Sequence, residues 1–257
     1  MLKIIDVCKK FNAHTVNETT VFENFSLTVT DGEFVSVVGS NGSGKSTLLN
    51  LISGNVRPDA GRIILDETDI TLQPEHVKAQ KIGRVFQNPA LATIPVMTIT
   101  ENMAIADNKG KPYGLASCVN KKRAGLYREL VSRLNLGLED KMDVEVGALS
   151  GGQRQALALV ICTMTDIRLL LLDEHTAALD PKTSEKIMEL TNNIIAAKKI
   201  TTLMVTHNLR FAAEYGDRIL MMDDGKILLD KAGGDKASAD IKTLLQLFNE
   251  ISLEKGN

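Results

Sequence analysis

The run from Glu33 to Val38 leads directly into Gly39-Ser40-Asn41-Gly42-Ser43-Gly44-Lys45-Ser46, after which Leu48, Leu49, Leu51 and Ile52 recur at helical spacing before Gly54. A compact apolar run, a glycine-rich turn and an apolar-striped helix in this order predict a buried strand feeding a helix. That commits the chain to an α/β architecture. The turn fits the P-loop pattern, G-x-x-x-x-G-K-[ST], in the strand-to-helix setting the pattern requires. Glycines let main-chain amides converge on phosphate oxygens, and the helix N-terminus adds positive potential. Lys45 is placed to reach the β and γ phosphates of a nucleotide, and Ser46 to ligate Mg²⁺.

With 257 residues, 44% of them apolar and 24% charged, the composition is that of an ordinary globular protein. A formal charge of −2 gives no electrostatic case for a nucleic-acid partner. The longest unbroken apolar runs, such as Leu169 to Leu172 and Ala156 to Cys162, fall well short of the ~18 to 20 residues that span a bilayer. The N-terminus Met1-Leu2-Lys3-Ile4-Ile5-Asp6 has no uninterrupted apolar core of a secretory signal, so the chain is expected to stay in the cytosol. Cys8, Cys118 and Cys162 lack paired spacing and read as ordinary thiols, with no zinc site.

The flanking segments supply more strands. Lys3 to Val7, Asn24 to Val29 and Arg62 to Leu65 predict an antiparallel sheet near the N-terminus. From about Asn88 to Thr165 the prolines at 89, 95 and 112 and two helix-like stretches, Lys121 to Leu134 and Gly151 to Met164, predict a helical lobe. Buried strands resume at Arg168 to Leu172 and Thr201 to Thr206. Between them lies a helix that Asp180 caps, Pro181 opens, and Ile187, Leu190, Ile194 and Ile195 line. Asp223-Asp224-Gly225 turns Ile219 to Met222 back on Ile227 to Leu229 as a hairpin. Ile241, Leu244, Leu245, Phe248 and Ile251 predict a last amphipathic helix.

Asp173 and Glu174 stand at the end of the strand Arg168 to Leu172, the edge at which open α/β sheets bind ligands. Asp173 is suited to hold Mg²⁺ through water, and Glu174 to orient or deprotonate an attacking water. Gln87 follows Val85-Phe86 at the entrance to the helical lobe, where its amide could meet both metal and water. His207 ends the strand carrying Leu203 to Thr206.

Together these residues resemble the nucleotide-binding subunit of ATP-binding cassette (ABC) transporters over about residues 2 to 231. Walker A falls on Gly39 to Thr47, the Q-loop on Gln87 and the signature on Leu149-Ser150-Gly151-Gly152-Gln153. Walker B falls on Leu169 to Asp173 with Glu174, the D-loop on Ala178-Leu179-Asp180 and the switch histidine on His207. The resemblance implies an α/β P-loop NTPase (RecA-like) core of residues 1–87 and 165–231. It adds an N-terminal antiparallel β subdomain, an inserted helical signature lobe over 88–164 and a helical tail over 232–257. It implies ATP and Mg²⁺ as cofactors. The nucleotide would be held by Phe11, Gly39, Ser40, Asn41, Gly42, Ser43, Gly44, Lys45, Ser46 and Thr47, with Ser150, Gly151, Gly152, Gln153 and Asp180 contributed across a dimer. The metal set is Ser46, Gln87 and Asp173, and the catalytic set Glu174, His207 and Gln87. Phe11 stands where the family's adenine-stacking aromatic is more usually tyrosine, and a phenyl face serves as well.

In the family the signature of one subunit completes the ATP site of another. Two copies therefore sandwich two ATPs about a two-fold axis, and a homodimer is the expected assembly. Ser150 caps the signature helix, and Gly151 and Gly152 leave its amides open to a γ-phosphate. His175 replaces the family's usual proline beside Glu174 and is read as a substitution that leaves hydrolysis intact. The wording from Asp173 to Asp180 and around Gly83 to Gln87 is similar to ATPases that accompany tryptophan- or tyrosine-type binding lipoproteins in bacterial importers. The expected partners are thus membrane permease subunits and an extracytoplasmic lipoprotein, with the chain peripheral at the cytoplasmic face of the membrane. The basic run from Lys109 to Arg133 reads as a solvated helix face that could touch lipid headgroups or the permease. An exporter or lipoprotein-releasing ATPase shares every motif. A soluble ABC protein acting on nucleic acid or ribosomes would usually carry a coiled coil, a second cassette or zinc cysteines, and this chain has none of these.

Overall fold

The computed structural model describes residues 1–112 and 118–233, so the helix predicted over 241 to 253 lies outside the described residues. In chain order the strands and helices are β1 (Leu2–Phe11), β2 (Thr19–Val29), β3 (Phe34–Gly39), α1 (Lys45–Ser53), β4 (Ala60–Leu65), β5 (Thr68–Asp69), α2 (Glu75–Lys78), β6 (Ile82–Val85) and α3 (Ile99–Asp107). They continue with α4 (Ala124–Ser132), α5 (Gly151–Thr163), β7 (Leu169–Asp173), α6 (Pro181–Lys198), β8 (Thr201–Val205), α7 (Leu209–Glu214), β9 (Arg218–Asp223) and β10 (Lys226–Ala232). The chain divides into two compact units, Met1–Ala79 with Lys198 onward, and Gln80–Ala197. This division groups β6, β7 and α6 with the helical segment, whereas the sequence motifs assign them to the nucleotide-binding core.

In the first unit β1 is the centre of an antiparallel sheet, pairing Leu2 with Val29 of β2 on one side and with Leu65 of β4 on the other. Leu2, Ile4, Val7, Phe22, Leu27, Val29, Ile63 and Leu65 are buried. The Phe22 and Phe25 rings pack with centroids 4.7 Å apart. β3 is buried along its whole length and pairs in parallel with β8 and β9, which accounts for its unbroken apolar sequence. The predicted hairpin joins β9 to β10 at Asp224 (φ +46°) and Gly225 (φ +70°), two successive left-handed residues as a tight hairpin turn requires.

In the second unit β6 and β7 pair in parallel, Ile82 with Leu169 through Val85 with Leu172. The helices share one core, including Ile99, Met103, Tyr127, Val131, Leu134, Leu157, Val160 and Ile187. Two details differ from expectation. Besides the two helices expected in the lobe there is α3, which a reciprocal capping box of Thr98 and Glu101 starts at Ile99. The helix expected over Lys121 to Leu134 opens instead as a 3₁₀ turn, Lys121–Arg123, and continues as α4. Arg123 ion-pairs with Asp107, and no side chain caps α4, so the first turn tightens.

Asp107 also accepts from the Tyr127 hydroxyl at 2.8 Å and faces Lys111 at 3.6 Å. Part of the basic run is therefore neutralised inside the fold. Burial, and then Asp107 beside it, push the Tyr127 phenol up to about 12. Among the described residues no helix is long and apolar enough to cross a membrane.

Candidate nucleotide-binding and catalytic site

The phosphate loop lies in the first unit, between β3 and α1. At Gly39 the chain leaves the sheet with its α-carbon against β9, where a side-chain β-carbon would stand 2.0 Å from the Met222 carbonyl oxygen. Only glycine fits. Gly44 occupies the helix N-cap position in the left-handed region (φ +99°), and an added β-carbon there would crowd the Phe22 ring at 3.0 Å. No side chain caps α1 and no acid sits in its first turn. Its leading amides and the positive end of its dipole therefore favour an anion rather than a capping oxygen.

Lys45 is buried and donates from Nζ to the Gly39 and Ser40 carbonyls at 2.9 and 2.7 Å and to Ser43 Oγ at 3.2 Å. An ammonium drawn over the loop's own oxygens stands where phosphate charge would meet it. The loop is braced by the hairpin: Ser40 Oγ donates to Asp223 Oδ1 at 2.7 Å, and the Gly225 amide donates to the Ser43 carbonyl at 3.2 Å. Ser46 is exposed on the first turn of α1. Phe11 ends β1 at 36% exposure with the Lys9 ammonium 5.4 Å from its ring centre, so one aromatic face can still stack on a base. His207 is exposed just after β8.

The second unit holds the acidic and signature residues. β7 delivers Asp173 at its end, where its carboxylate takes a hydrogen bond from the Arg84 guanidinium at 2.7 Å. Glu174 has φ +48° and its carbonyl accepts from the Ala177 amide at 2.9 Å. A glutamate held in the left-handed region persists only where its surroundings dictate it. The next residue is buried and anchored. His175 is 3% exposed, and its Nε2 lies 3.2 Å from Thr191 Oγ1 on α6. Thr191 Oγ1 also lies 2.7 Å from the Ile187 carbonyl, to which its hydroxyl donates, and an imidazole carrying its hydrogen on Nε2 satisfies both contacts. Burial pushes the His175 imidazole down to about 4, and near neutral pH it is an uncharged packing group.

The signature opens α5. Ser150 Oγ accepts from the Gln153 amide at 3.3 Å while Gln153 Oε1 accepts from the Ser150 amide at 3.2 Å, a complete capping box. Gln153 Nε2 donates to the Leu136 carbonyl at 3.1 Å. The Gln153 side chain is thus held at both ends, Oε1 by the cap and Nε2 by the Leu136 carbonyl. A β-carbon at Gly152 would lie 2.5 Å from Thr183 Cγ2 of α6, so the glycine also permits that packing. Asp180 is exposed. Its contacts with Thr183, including the Thr183 amide at 3.1 Å, hold its carboxyl below the usual carboxylate range. Gln87 is exposed two residues past the end of β6.

The structure brings together Lys45, Ser40 and Ser43 in one unit and Asp173, Glu174 and His175 in the other. Sequence reasoning missed Arg84, Asp223 and Thr191. Each acts through a partner on another element, and the turn or run in which Arg84 and Asp223 stand gives no sign of that partner.

Comparison with known proteins identifies the family. The ABC transporter family model matches residues 22–177. The chain is similar to a tyrosine transport ATP-binding protein of Clostridioides difficile, at 47% identity across 96% of this chain and 98% of that relative. It is also similar to the methionine import ATP-binding protein MetN of Histophilus somni, at 32% identity over 95% of this chain and 68% of the relative. Among solved structures it resembles the dimeric cassette MJ0796 bound to ADP and Pi, with TM-score 0.77, 30% identity, and coverage of 90% of this chain and 98% of the other. It resembles the ADP conformation of the cassette MJ1267 with TM-score 0.80 and 26% identity, covering 100% of this chain and 99% of that one.

This chain belongs to the ABC transporter family. It is an ATP-binding, ATP-hydrolysing subunit of a membrane transporter and has the cassette's P-loop NTPase fold.

Proposed function

We propose that this subunit powers uptake of an aromatic amino acid of the tyrosine class, working as a homodimer at the cytoplasmic face of the membrane. A permease and an extracytoplasmic binding lipoprotein complete the transporter. The observation that carries this reading is the similarity to a tyrosine transport ATPase over nearly the whole chain, combined with an unbroken set of site residues in one polypeptide.

In this reading the amides of residues 42 to 47 and Lys45 hold the β and γ phosphates, and Phe11 stacks on the base. Ser46, Gln87 and Asp173 offer hydroxyl, amide and carboxylate oxygens, a hard-donor set that fits Mg²⁺. Among the described residues no cluster of three or more His, Cys, Asp or Glu forms a protein cage for a metal. Bound by that donor set, Mg²⁺ would supply positive charge against the negative charge that develops on the phosphates. Glu174 orients and deprotonates the attacking water, and His207 and Gln87 attend the γ-phosphate and the metal. Ser150, Gly151 and Gly152 at the start of α5, with Asp180, serve the nucleotide of the second copy. ATP then closes the dimer, hydrolysis reopens it, and the permease converts this into transport.

The substrate reading is tested by reconstituting the subunit with its permease and binding lipoprotein, recovered by purifying the membrane complex. Binding protein loaded with tyrosine or tryptophan should stimulate ATP hydrolysis, and binding protein offered methionine should not. Stimulation by methionine and not by aromatic amino acids would reassign the substrate.

A further inference from the structure

Arg84 of β6 and Asp173 of β7 lie on paired parallel strands within one unit. The guanidinium donates to Asp173 Oδ2 at 2.7 Å, with the two side chains 11% and 18% exposed. The same guanidinium lies 4.6 Å from the centre of the Phe86 ring, directly before Gln87. The Arg84 carbonyl accepts the Cys162 thiol of α5 at 3.1 Å. The arginine is therefore anchored through both its backbone and its side chain. It is always charged, and its planar fork suits a carboxylate.

We propose that Arg84 is a positioning residue that tunes the metal requirement of the ATPase, as a built-in counter-ion of Asp173 that competes with Mg²⁺ for its carboxylate. This rests on the reading of Asp173 as the Mg²⁺ carboxylate. One oxygen of Asp173 is committed to the guanidinium. A divalent cation recruited to the same carboxylate either displaces Arg84 or shares the carboxylate with it at short range. Both routes weaken the metal relative to a neutral residue at position 84, the first through a lost charge-assisted bond and the second through repulsion. In return the pair keeps a partly buried carboxylate compensated and fixed in direction at the end of β7. Because Arg84 stacks on Phe86, displacing it would also move the approach to Gln87.

The test uses the full-length protein carrying Glu174→Gln, so that turnover does not consume ATP, with Mn²⁺ as a paramagnetic probe titrated in the presence of ATP. Electron paramagnetic resonance of free Mn²⁺ gives the binding midpoint. Arg84→Met should lower that midpoint by about fivefold, the size expected for one partly screened charge contact. Arg84→Lys, which keeps the charge, should return it toward the parent value, a restoration that a purely structural role of Arg84 would not produce. Arg84→Gln provides a second neutral variant if Arg84→Met does not fold. Asp173→Asn should raise the midpoint. Neutral variants that leave the midpoint unchanged or raise it, while Asp173→Asn still raises it, overturn the competition by Arg84 and leave the metal assignment standing. A midpoint insensitive to Asp173→Asn overturns both.

Discussion

Ser40 of the phosphate loop donates its hydroxyl hydrogen to Asp223 Oδ1 across 2.7 Å, tying the loop to a hairpin more than 180 residues further along the chain. The Gly225 amide adds a second tie to Ser43. The loop is thus oriented by the hairpin as well as by the strand and helix that flank it.

Removing that tie should loosen nucleotide binding before it unfolds the protein. A partly buried hydrogen bond to a charged acceptor contributes roughly 1.5–3 kcal/mol. Ser40→Ala and Asp223→Ala are each expected to raise the ATP dissociation constant by about three- to tenfold, part of that energy being felt only when phosphate is bound. Asp223→Asn, which keeps an acceptor oxygen, should fall between. Titration with a fluorescent ATP analogue, alongside thermal melting, separates weakened binding from loss of fold.

The signature cap makes a different prediction. Ser150→Ala loses the bond to the Gln153 amide and should cost about 1 kcal/mol of stability, a drop in melting temperature of about 2–4 °C for a protein of this size. Ser150→Arg should abolish hydrolysis yet leave ATP binding to an isolated subunit near normal, because the damage falls on the nucleotide of the other copy. ATPase rate measured against protein concentration checks this. Full activity of a monomer with no concentration dependence would refute a shared site.

Glu174→Gln keeps the side-chain shape but removes the base. The variant should bind ATP, accumulate as a dimer and lose turnover by about 10²-fold or more, the scale of general-base catalysis. Size-exclusion chromatography with ATP, paired with phosphate release, reads both effects. Near-normal hydrolysis would show that Glu174 is not the base.

Acid stability should report on His175. Its imidazole is lowered from 6.5 to about 4 by burial, so the unfolded chain takes up a proton that the folded chain refuses. Stability is therefore full above the unfolded value and declines as pH falls from about 6.5 toward about 4. Between neutral pH and about pH 5 this one group should account for about 2 kcal/mol. His175→Asn, small enough to be buried and able to hydrogen-bond Thr191, should flatten the stability curve over that interval in denaturant titrations. An unchanged slope would mean that His175 is protonated, or accessible to protons, in the folded protein.

Much of the architecture was readable from local pattern. The hairpin was marked by Asp224-Gly225, the signature helix by the cap Ser150, and α6 by Asp180-Pro181, since each signal acts over a few residues. α3 carried its own signal in Thr98 and Glu101. Its nine residues mix Thr, Glu, Asn and Asp with the buried Ile99 and Met103, which obscured the apolar stripe.

By itself the sequence determined which chemistry is present: a phosphate loop, a strand-borne Asp173 and Glu174, and a signature that begins a helix. These depend on residue type and on spacing along one element, where backbone geometry leaves little choice. Only the tertiary structure decided what each group is held against. Asp223 braces Ser40, Arg84 engages Asp173, and Thr191 fixes the ring of His175 beside Glu174. Those partners meet because separate elements pack together and buried polar groups must find one another, a condition set by the fold and not by any local pattern.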